Sequence, residues 1–553
     1  MSDGRRADLV VTGRIATLAG SGGPGWAEAL AILDGRVAAV GSAAAVEALA
    51  GPGTRRIDLR PDEVAIPGLT DAHLHLVEAA LARMRVDLHG AETVIEAQAA
   101  VRTAVEAHPD ADRWIEGAGW DADRLGRWPT ADDLEAVAPH RRVALWAHDH
   151  HALLVSHRAL AEAGIDDDRD DPDGGVIRRD GAGHATGVLH ERASGLVSDR
   201  IPAPDGDAIE AALRPLVREL RGLGVVAIHD PGGLAARDSL RGPIEAYRRL
   251  AANGELGLRV HACIRPEQLP AAVAEAVRSG RPLGPDPRDR LRMGWLKTFA
   301  DGTLGSRSAA LLHPLEAIPG EPLPPNDGYG VWMVPPEILR EQAGEAARWG
   351  IATQIHAIGD AAVRAALDAL GPTVGATPLM PRVEHVQLVA DADVPRFAAL
   401  GIAASMQPIH VRSDAAKARH LWGPRGEARG YALGALAASG AVLAAGTDAP
   451  VEPVDPWPGI ACAVTRAAPD WQPGTAPFGT ANALSLWQAV RASCVGPAIS
   501  AGETDRGRLV AGHRADLVVL PASALGEPVE VGGALWHARP RLVLMDGEVV
   551  AGA

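Results

Sequence analysis

The 553-residue sequence predicts an α/β protein: a (β/α)8 barrel of the TIM type with a small composite β-sandwich domain built from both termini. Three observations predict this fold. Short apolar runs alternate with helical stretches rich in Ala, Arg and Glu, as in the βαβ units of a parallel sheet. Several of these runs end in a titratable residue, which is where a barrel carries its functional side chains. Hairpin signals occur at both ends of the chain.

Residues 1–66 and 503–553 are predicted to form the composite β domain. Asp34-Gly35 separates two β-like runs near the start of the chain, and Asp546-Gly547 separates two more near its end. An Asp-Gly pair between apolar runs is a strong hairpin signal. Because a single hairpin is only marginally stable in water, we expect the two terminal segments to fold together.

The intervening residues 67–502 are predicted to form the barrel, with insertions within about 85–220. One βα unit spans about 30 residues in a barrel of about 250 residues, and His356 and His385 lie one such unit apart. The chain before Lys297 is too long for the units it must contain, which places the insertions there. An open doubly wound sheet alternates in the same way but gathers its ligands at one switch point. The predicted strands are 114–116, 143–147, 225–230, 258–262, 295–299, 353–356, 382–385, 403–406 and 442–446.

The composition argues against several classes of function. A formal charge of −16 disfavours nucleic-acid binding, which needs a basic surface. The three cysteines are scattered, so neither a disulfide framework nor a thiolate zinc site is expected. The start of the sequence lacks an apolar signal region, and no apolar span of about 18 residues follows, so we expect a cytoplasmic protein without a membrane partner. The oligomeric state stays open, a homo-oligomer included.

The stretch Pro67-Gly-Leu-Thr-Asp-Ala-His-Leu-His75 carries two histidines two residues apart. Residues i and i+2 of a strand project to the same face, so we predict that His73 and His75 lie side by side on a strand. Such a pair suits two ligands of one metal ion. Two strand-end histidines bonded to backbone carbonyls would give the same pattern, and the rest of the chain has to distinguish the two interpretations.

Four further candidate ligands lie near the ends of predicted strands: Lys297, His356, His385 and Asp448. Each has a structural alternative, such as a hydrogen-bonded core histidine or, for Asp448, an Asx turn before a proline. Six strand-end placements at barrel spacing favour a metal centre instead. Nitrogen and oxygen donors suit Zn²⁺, with Fe²⁺ or Mn²⁺ as alternatives, and one ion or two would be compatible with the set.

Lysine usage singles out Lys297. The chain has 54 Lys and Arg residues, of which only Lys297 and Lys417 are lysines. A chain that uses arginine almost wherever a cation is needed keeps lysine for chemistry that a guanidinium cannot perform, because only lysine readily loses its proton. A lysine amine can add carbon dioxide to form a carbamate that bridges two metal ions. Lys297 is therefore a candidate N-carboxylated ligand, the alternative being a salt-bridged barrel lysine.

The motifs recur in order along nearly the whole chain: segments 67–75, 114–121, 149–152, 186–191, 229–233, 297–307, 356–360, 382–385, 405–408, 446–452 and 512–519. In this combination the sequence resembles the amidohydrolase superfamily, specifically its YtcJ-like metal-dependent hydrolase branch, which includes N-substituted formamide deformylase. The resemblance implies a metal-bearing barrel with a composite β domain. It also implies metal ligands at His73, His75, His356 and His385, a carboxylated Lys297, and a catalytic Asp448 that also binds metal.

The resemblance implies an enzyme that hydrolyses a non-peptide C–N bond of a small molecule, in an amide, an N-formyl compound or a cyclic amide. The metal would activate water as hydroxide, and Asp448 would take the proton from the attacking water and give it to the leaving amine. An aminohydrolase (deaminase) on the same scaffold, with one metal and no carbamate, is an alternative. A metal-stabilised binding protein without turnover is another.

Six further residues are predicted to contact the substrate or orient the ligands: Asp149, His151, His229, Asp230, Asp301 and Arg307. Arg307 could equally form a structural salt bridge. Asp149-His150-His151 departs from the family pattern, because a histidine stands where glycine is expected between the Asp and the His. This departure alters the expected shape of the pocket. Whether His148 and His150 contact substrate or cap a loop stays open.

Overall fold

The computed structural model describes residues 5–122, 124–147, 152–172, 175–202, 204, 206–232, 240, 242–305, 307–316 and 326–552. The contacts between residues divide the chain into two compact units. One consists of residues 1–76 with 214–553, and the other of residues 77–213.

The strands in chain order are β1 (Leu9–Ala16), β2 (Trp26–Leu33), β3 (Arg36–Gly41), β4 (Arg55–Asp58), β5 (Glu63–Pro67), β6 (Leu69–Asp71), β7 (Val86–Asp87), β8 (Trp114–Trp120), β9 (Arg142–Ala147), β10 (Ala152–Val155), β11 (Gly175–Arg179), β12 (Ala185–Glu191), β13 (Val225–Asp230), β14 (Arg259–Ile264), β15 (Leu291–Phe299), β16 (Ala352–Ala357), β17 (Arg382–His385), β18 (Ala403–Met406), β19 (Leu443–Ala445), β20 (Leu517–Pro521), β21 (Leu542–Met545) and β22 (Glu548–Ala551).

The α-helices are α1 (Ala43–Glu47), α2 (Leu76–Ala82), α3 (Val94–Ala107), α4 (Ala131–Glu135), α5 (His157–Glu162), α6 (Gly195–Ser198), α7 (Gly206–Gly222), α8 (Pro243–Ala252), α9 (Leu269–Ala274), α10 (Pro336–Arg348), α11 (Asp360–Leu370), α12 (Val394–Leu400), α13 (His410–Trp422), α14 (Pro424–Arg429), α15 (Leu433–Ala438), α16 (Pro456–Thr465), α17 (Leu486–Ala492) and α18 (Val495–Ser500).

Eight parallel strands form the barrel of the first unit, in the order β6, β13, β14, β15, β16, β17, β18 and β19. The chain also joins β19 to the residues that follow β6. The N–H of Ala72 donates to the carbonyl of Ala445 at 3.0 Å, and the N–H of Asp448 donates to the carbonyl of His73 at 2.7 Å. The predicted (β/α)8 barrel is confirmed, and each strand predicted between residues 225 and 446 overlaps a barrel strand.

Five barrel strands are buried along their whole length, as expected for parallel strands covered on both faces: β13, β14, β16, β17 and β18. β17 nevertheless carries two charged residues, Arg382 and Glu384, both with 0% exposure. Buried charges need partners to offset the loss of hydration. The partners of these two residues lie at the candidate site.

His73 and His75 do not lie on a strand, so the prediction that placed them on one was wrong. β6 ends at Asp71, and α2 begins immediately after His75. The Asp71 carboxylate accepts the backbone N–H groups of His73 and Thr447, each at 3.1 Å, and the Thr447 hydroxyl at 2.6 Å. This Asx-type bonding turns the chain out of the strand. His73 and His75 therefore occupy the loop that leaves the carboxyl end of β6.

Both ends of the chain contribute to one sheet, in the order β22-β21-β20-β5-β1-β2-β3, with β4 paired to β1. β20 from the C-terminal segment pairs antiparallel with β5 from the N-terminal segment. The predicted hairpins turn at Asp34-Gly35, with φ of 52° and 73°, and at Asp546-Gly547, with φ of 50° and 74°. Two consecutive positive φ angles are typical of a type I′ turn. The sheet from both termini is thus present, and its proposed boundaries at residues 66 and 503 stay a prediction.

The second unit has its own six-stranded sheet, in the order β11-β12-β10-β9-β8-β7. Its core includes Ile115, Val143, Leu145 and Leu154. The strands predicted at 114–116 and 143–147 belong to this sheet. In the described ranges, no helix combines the length and apolar composition that crossing a bilayer would require.

Candidate metal and active site

A cavity of about 350 Å³ opens at the carboxyl ends of the barrel strands. Small-molecule sites have about 300–1,000 Å³. The structure brings all six predicted ligands to the lining of this cavity: His73, His75, Lys297, His356, His385 and Asp448. Four apolar side chains, Phe299, Leu304, Ile358 and Val451, contribute to the same lining.

The Asp448 carboxylate lies between two pairs of histidines. Its Oδ1 is 3.4 Å from Nε2 of His73 and 3.4 Å from Nε2 of His75. Its Oδ2 is 3.7 Å from Nε2 of His410 and 3.9 Å from Nδ1 of His385. Asp448 adopts φ of 62°, a left-handed conformation in which Asp and Asn are enriched. This turn directs the carboxylate between the two pairs.

Glu384 fixes the orientation of His73. Glu384 Oε2 lies 2.5 Å from Nδ1 of His73, and both side chains are buried. An ionised carboxylate can only accept, so Nδ1 carries the proton and Nε2 keeps its lone pair. That Nε2 is buried and has no hydrogen-bond partner. It is therefore available to a cation.

Arg382 holds Glu384 in turn. Its Nε lies 3.0 Å from Glu384 Oε1, and its Nη2 donates to the carbonyl of Ala72 at 2.6 Å, next to His73. Its Nη1 lies 2.8 Å from Nδ1 of His229. His229 therefore contacts Arg382, and its role in orienting the ligands stays a prediction. The sequence reasoning assigned no role to either Arg382 or Glu384.

Lys297 is 1% exposed, and its Nζ has no hydrogen-bond partner. The amine lies 4.9 Å from the centre of the Phe299 ring. Burial lowers the pKa of Lys297 to about 8, although the carboxylates of Glu384 and Asp448 oppose this shift. A buried amine without a partner fits a group that a ligand or a modification completes. Carboxylation of Lys297 itself stays a prediction.

His356 faces the loop that follows β15. Its Nε2 lies 3.1 Å from the carbonyl oxygen of Gly302 and 3.7 Å from Oδ1 of Asp301. Its ring centre is 4.5 Å from that of His385. Because Nε2 is engaged with a carbonyl, Nδ1 is the nitrogen left for a cation.

Asp301 and Asp230 are engaged in structural hydrogen bonds. The Asp301 carboxylate accepts three backbone N–H groups, from Ala310, Ile358 and Gly359, at 2.8–3.0 Å. Burial raises the pKa of Asp301 to about 7. Asp230 accepts the hydroxyl of Tyr247 at 2.5 Å and the N–H of Gly232 at 2.9 Å. Neither carboxylate belongs to the cavity lining found among the described residues.

Three predicted site residues remain, namely Arg307, Asp149 and His151. Arg307 has φ of 56° and follows the cavity-lining segment 303–305 without itself lining the cavity. The predicted substrate contacts Asp149 and His151 lie outside the described residues, as do His148 and His150.

The structure adds a histidine that the sequence reasoning missed. His410 is 5% exposed and lines the cavity, and its Nε2 has no hydrogen-bond partner. It opens α13, four residues beyond the end of β18. A search for titratable residues at strand ends overlooks a histidine at the start of the following helix.

Burial and the neighbouring charges favour the protonation states of these side chains that bind a cation. Burial lowers the pKa of His73 to about 4 and that of His356 to about 3, and it holds the pKa of His385 well below its usual value. Burial alone would raise the pKa of Asp448, but His73, His75 and His385 outweigh it and hold that pKa well below its usual value. Neutral imidazoles and an ionised carboxylate are the forms that coordinate metals.

The donor set fits a divalent cation. Two groups of residues each offer ligand atoms within 4.8 Å of one another: His73, His75 and Asp448, and His385, His410 and Asp448. Imidazole nitrogens with carboxylate oxygens suit Zn²⁺. The buried Nε2 atom of His73, which has no hydrogen-bond partner, agrees with this assignment because buried polar groups are normally satisfied.

Comparison with known proteins points the same way. A family model described as the amidohydrolase family matches residues 57–551. The chain is 29% identical over 528 residues to the provisionally assigned amidohydrolase YtcJ of Bacillus subtilis (strain 168), covering 95% of this chain and 96% of that protein. It is 26% identical over 528 residues to N-substituted formamide deformylase of Arthrobacter pascens, covering 89% and 90%.

The fold also matches a solved structure. The crystal structure of an uncharacterized metal-dependent hydrolase from Pyrococcus furiosus superposes with a TM-score of 0.74 at 26% sequence identity. The match covers 94% of this chain and 100% of that one. The match therefore extends over nearly the whole length of both chains.

Proposed function

Since this chain belongs to the amidohydrolase family and is a metal-dependent hydrolase, we propose that it cleaves a non-peptide C–N bond of a small molecule. The substrate classes are amides, N-formyl compounds and cyclic amides. The observation that carries the proposal is the Asp448 carboxylate, set between histidine pairs in an open cavity. Similarity to an N-substituted formamide deformylase supports the choice of bond.

His73 and His75 would hold the cation, together with Oδ1 of Asp448. When bound, a divalent ion such as Zn²⁺ polarises a carbonyl and makes water acidic enough to attack near neutral pH. Glu384 keeps the proton of His73 on Nδ1, so that Nε2 has the lone pair that would bind the cation.

Asp448 moves the protons of the reaction. Its carboxylate accepts the proton of the attacking water and returns it to the leaving amine, a role worth about 10²–10⁴ in rate. The low pKa of Asp448 keeps it ionised before the reaction begins. The apolar lining residues Phe299, Leu304 and Ile358 would contact the substituent on the scissile nitrogen or acyl group.

The test combines elemental analysis of the purified protein with a hydrolysis screen of formamides, acylated amines and cyclic amides. We expect bound metal, release of an acid and an amine from at least one class, loss of turnover after chelation and recovery with Zn²⁺. Release of ammonia from exocyclic amines, with no amide cleaved, would instead identify an aminohydrolase. Bound metal without turnover of any amide or any exocyclic amine would support a metal-stabilised binding protein.

A further inference from the structure

Another cavity, of about 320 Å³, lies at the amino end of β15 and is lined almost entirely by charged residues. Its lining consists of four arginines, three acids and a glycine: Arg36, Arg288, Arg290, Arg514, Asp34, Asp546, Glu548 and Gly35. Arg290 immediately precedes the nine-residue strand β15, which is about 30 Å long at about 3.3 Å per residue. Lys297 lies near the other end of that strand. This arginine cavity is therefore separate from the candidate metal and active site.

Two hairpin turns form one side of the arginine cavity. The turns at Asp34-Gly35 and Asp546-Gly547 pack against each other, since a Cβ at Gly35 would lie 3.0 Å from the carbonyl oxygen of Asp546. Gly35 also has φ of 73°, a conformation that glycine adopts at no steric cost. Arg288 and Arg290, in the segment that leads into β15, line the same cavity. Three distant parts of the chain thus converge on it.

Arg290 is only 6% exposed, and its guanidinium lacks close partners. Its Nε has no hydrogen-bond partner among the residues that the structure describes. Its Nη2 lies 3.7 Å from Oδ2 of Asp546, beyond hydrogen-bond range. Burial lowers the pKa of Arg290, and Arg259 acts in the same direction while Asp546 opposes the shift. Because buried charges need hydrogen bonds and a counter-charge, an anion in the cavity would complete this side chain.

Asp546 does not neutralise Arg290, because two other arginines hold its carboxylate more closely. Its Oδ1 accepts a hydrogen bond from Nη1 of Arg514 at 3.1 Å and another from Nη2 of Arg259. One negative charge is therefore shared among three guanidinium groups. Arg290 is the most distant of the three and has no carboxylate of its own.

Arg288 is also loosely paired. Its Nη1 lies 3.7 Å from Oε2 of Glu548, and both side chains are at least half exposed. An exposed ion pair of this kind contributes little, so the Arg288 guanidinium can turn to a ligand at small cost. The remaining acid of the lining, Asp34, has its Oδ2 2.5 Å from Nη1 of Arg5. Arg288 and Arg290 are thus the two guanidinium groups best placed to bind an anion.

We propose that the arginine cavity binds a phosphate group between Arg288 and Arg290. A guanidinium donates two parallel hydrogen bonds to a carboxylate or a phosphate. One guanidinium occupies both oxygens of a carboxylate, whereas a phosphate has further oxygens for the second. Inorganic phosphate and a small phosphomonoester share this chemistry. The site is independent of the proposed hydrolase function, because it uses none of the residues assigned to that function.

The test is phosphate binding to the metal-loaded protein, measured by titration calorimetry and by the rise of the unfolding temperature with ligand concentration. The probes are inorganic phosphate, glycerol phosphate and succinate. We expect phosphate to bind the wild type and to bind about tenfold more weakly, or less, to Arg290→Met and to Arg288→Met, since each loses charged hydrogen bonds. Arg281→Met, at an exposed position outside the lining, is the matched control and should bind as the wild type does. Tighter binding of glycerol phosphate than of inorganic phosphate would identify an ester as the ligand, and the reverse would identify the free ion.

The variants also separate loss of binding from loss of folding. Replacing a buried charge that lacks close partners with an apolar side chain is often neutral or stabilising, so Arg290→Met should unfold at the same temperature as the wild type or higher when phosphate is absent. Arg288→Met changes an exposed side chain and should fold normally. Phosphate binding should persist in both the wild type and Arg281→Met after the metal is removed by chelation.

Phosphate that binds both arginine variants as tightly as the wild type, or that no longer binds after chelation, would be a ligand of the metal centre and would overturn the arginine site. No phosphate binding to the wild type would overturn it too, leaving a cavity filled by water. Succinate binding as tight as that of phosphate would overturn the choice of phosphate. The proposed hydrolase function would stand in each of these cases.

Discussion

Glu384 Oε2 lies 2.5 Å from Nδ1 of His73, and neither side chain is more than 1% exposed. Arg382 binds the other Glu384 oxygen and the carbonyl of Ala72, so that the backbone next to His73 and its ring are held by one buried pair. Burial opposes ionisation of Glu384, but Arg382 and His73 outweigh it and lower its pKa. The ring of His73 is thus fixed in orientation and in tautomer before any cation binds.

Glu384→Gln should therefore weaken metal binding. The amide is neutral and leaves Arg382 without its charge partner. It can also donate to Nδ1 of His73 as well as accept from it, so the tautomer of His73 is no longer fixed. We expect metal affinity or activity to fall about 10- to 100-fold, the usual effect of removing such a partner. Competition with a chromophoric chelator measures the affinity. Glu345→Gln, at an exposed position of α10, is the control; equal affinities in the two variants would contradict the role of Glu384.

The Arg382–Glu384 pair could have been found from the sequence. The segment Arg382-Val-Glu-His385 was predicted as a parallel barrel strand, and such strands are normally apolar because both faces are covered. Charges at positions i and i+2 of that strand share a face, which indicates a buried pair rather than a solvated one. The sequence alone could not identify their partners, because His73 and Ala72 are about 310 residues away in the chain.

The positions of the histidines show where pattern reasoning fails. The strand-end rule found His356, His385 and Asp448, since parallel strands end at one rim of a barrel. It put His73 and His75 on a strand because nothing in the pattern shows that the Asp71 side chain would turn the chain. It missed His410 because this residue reaches the cavity from the start of α13.

Asp448→Asn should lower turnover strongly without unfolding the protein. Asn tolerates the positive φ of this position as Asp does, so the turn is preserved, but the amide cannot take a proton from water. We expect kcat to fall by about 10²–10⁴. Steady-state kinetics on a substrate from the screen, with circular dichroism for the fold, provides the measurement. Activity near that of the wild type would show that Asp448 is not the proton carrier.

Asp516 should make stability depend on pH. Its Oδ2 lies 2.9 Å from Nη1 of Arg259, and both side chains are under 10% exposed. Burial would raise the pKa of Asp516, but Arg259 and Arg506 outweigh it and lower that pKa. The contribution is therefore present above the unfolded pKa, about 3.9, and is lost as pH falls through the lower folded value.

Asp516→Asn should consequently cost about 1.5–3 kcal/mol at neutral pH, because it removes one of the two carboxylates that pair with the buried Arg259 guanidinium, the other being that of Asp546. Urea unfolding of both proteins between neutral pH and pH 3 measures the difference, which should shrink below about pH 4. Asp62→Asn, at an exposed position, should change little at any pH. A difference that stays constant down to pH 3 would exclude the Asp516 carboxylate as its source.

Gly446 should prove intolerant of a side chain because the loop with His73 packs directly on it. A Cβ at Gly446 would lie 2.5 Å from the backbone nitrogen of His73 and 2.8 Å from Oδ1 of Asp71. Such contacts force the backbone apart, and overpacking of this kind typically costs about 1–3 kcal/mol. Gly446→Ala should therefore lower both the urea midpoint and the metal content.

Gly344→Ala, in α10 with nothing within 4 Å of the added Cβ, is the matched control. It should leave metal binding intact and raise stability by about 0.5–1 kcal/mol, the gain expected for alanine over glycine in a helix. If both variants keep full metal content, the loop after β6 can shift without moving the ligands, and the rigid placement of His73 argued from Glu384 would be wrong.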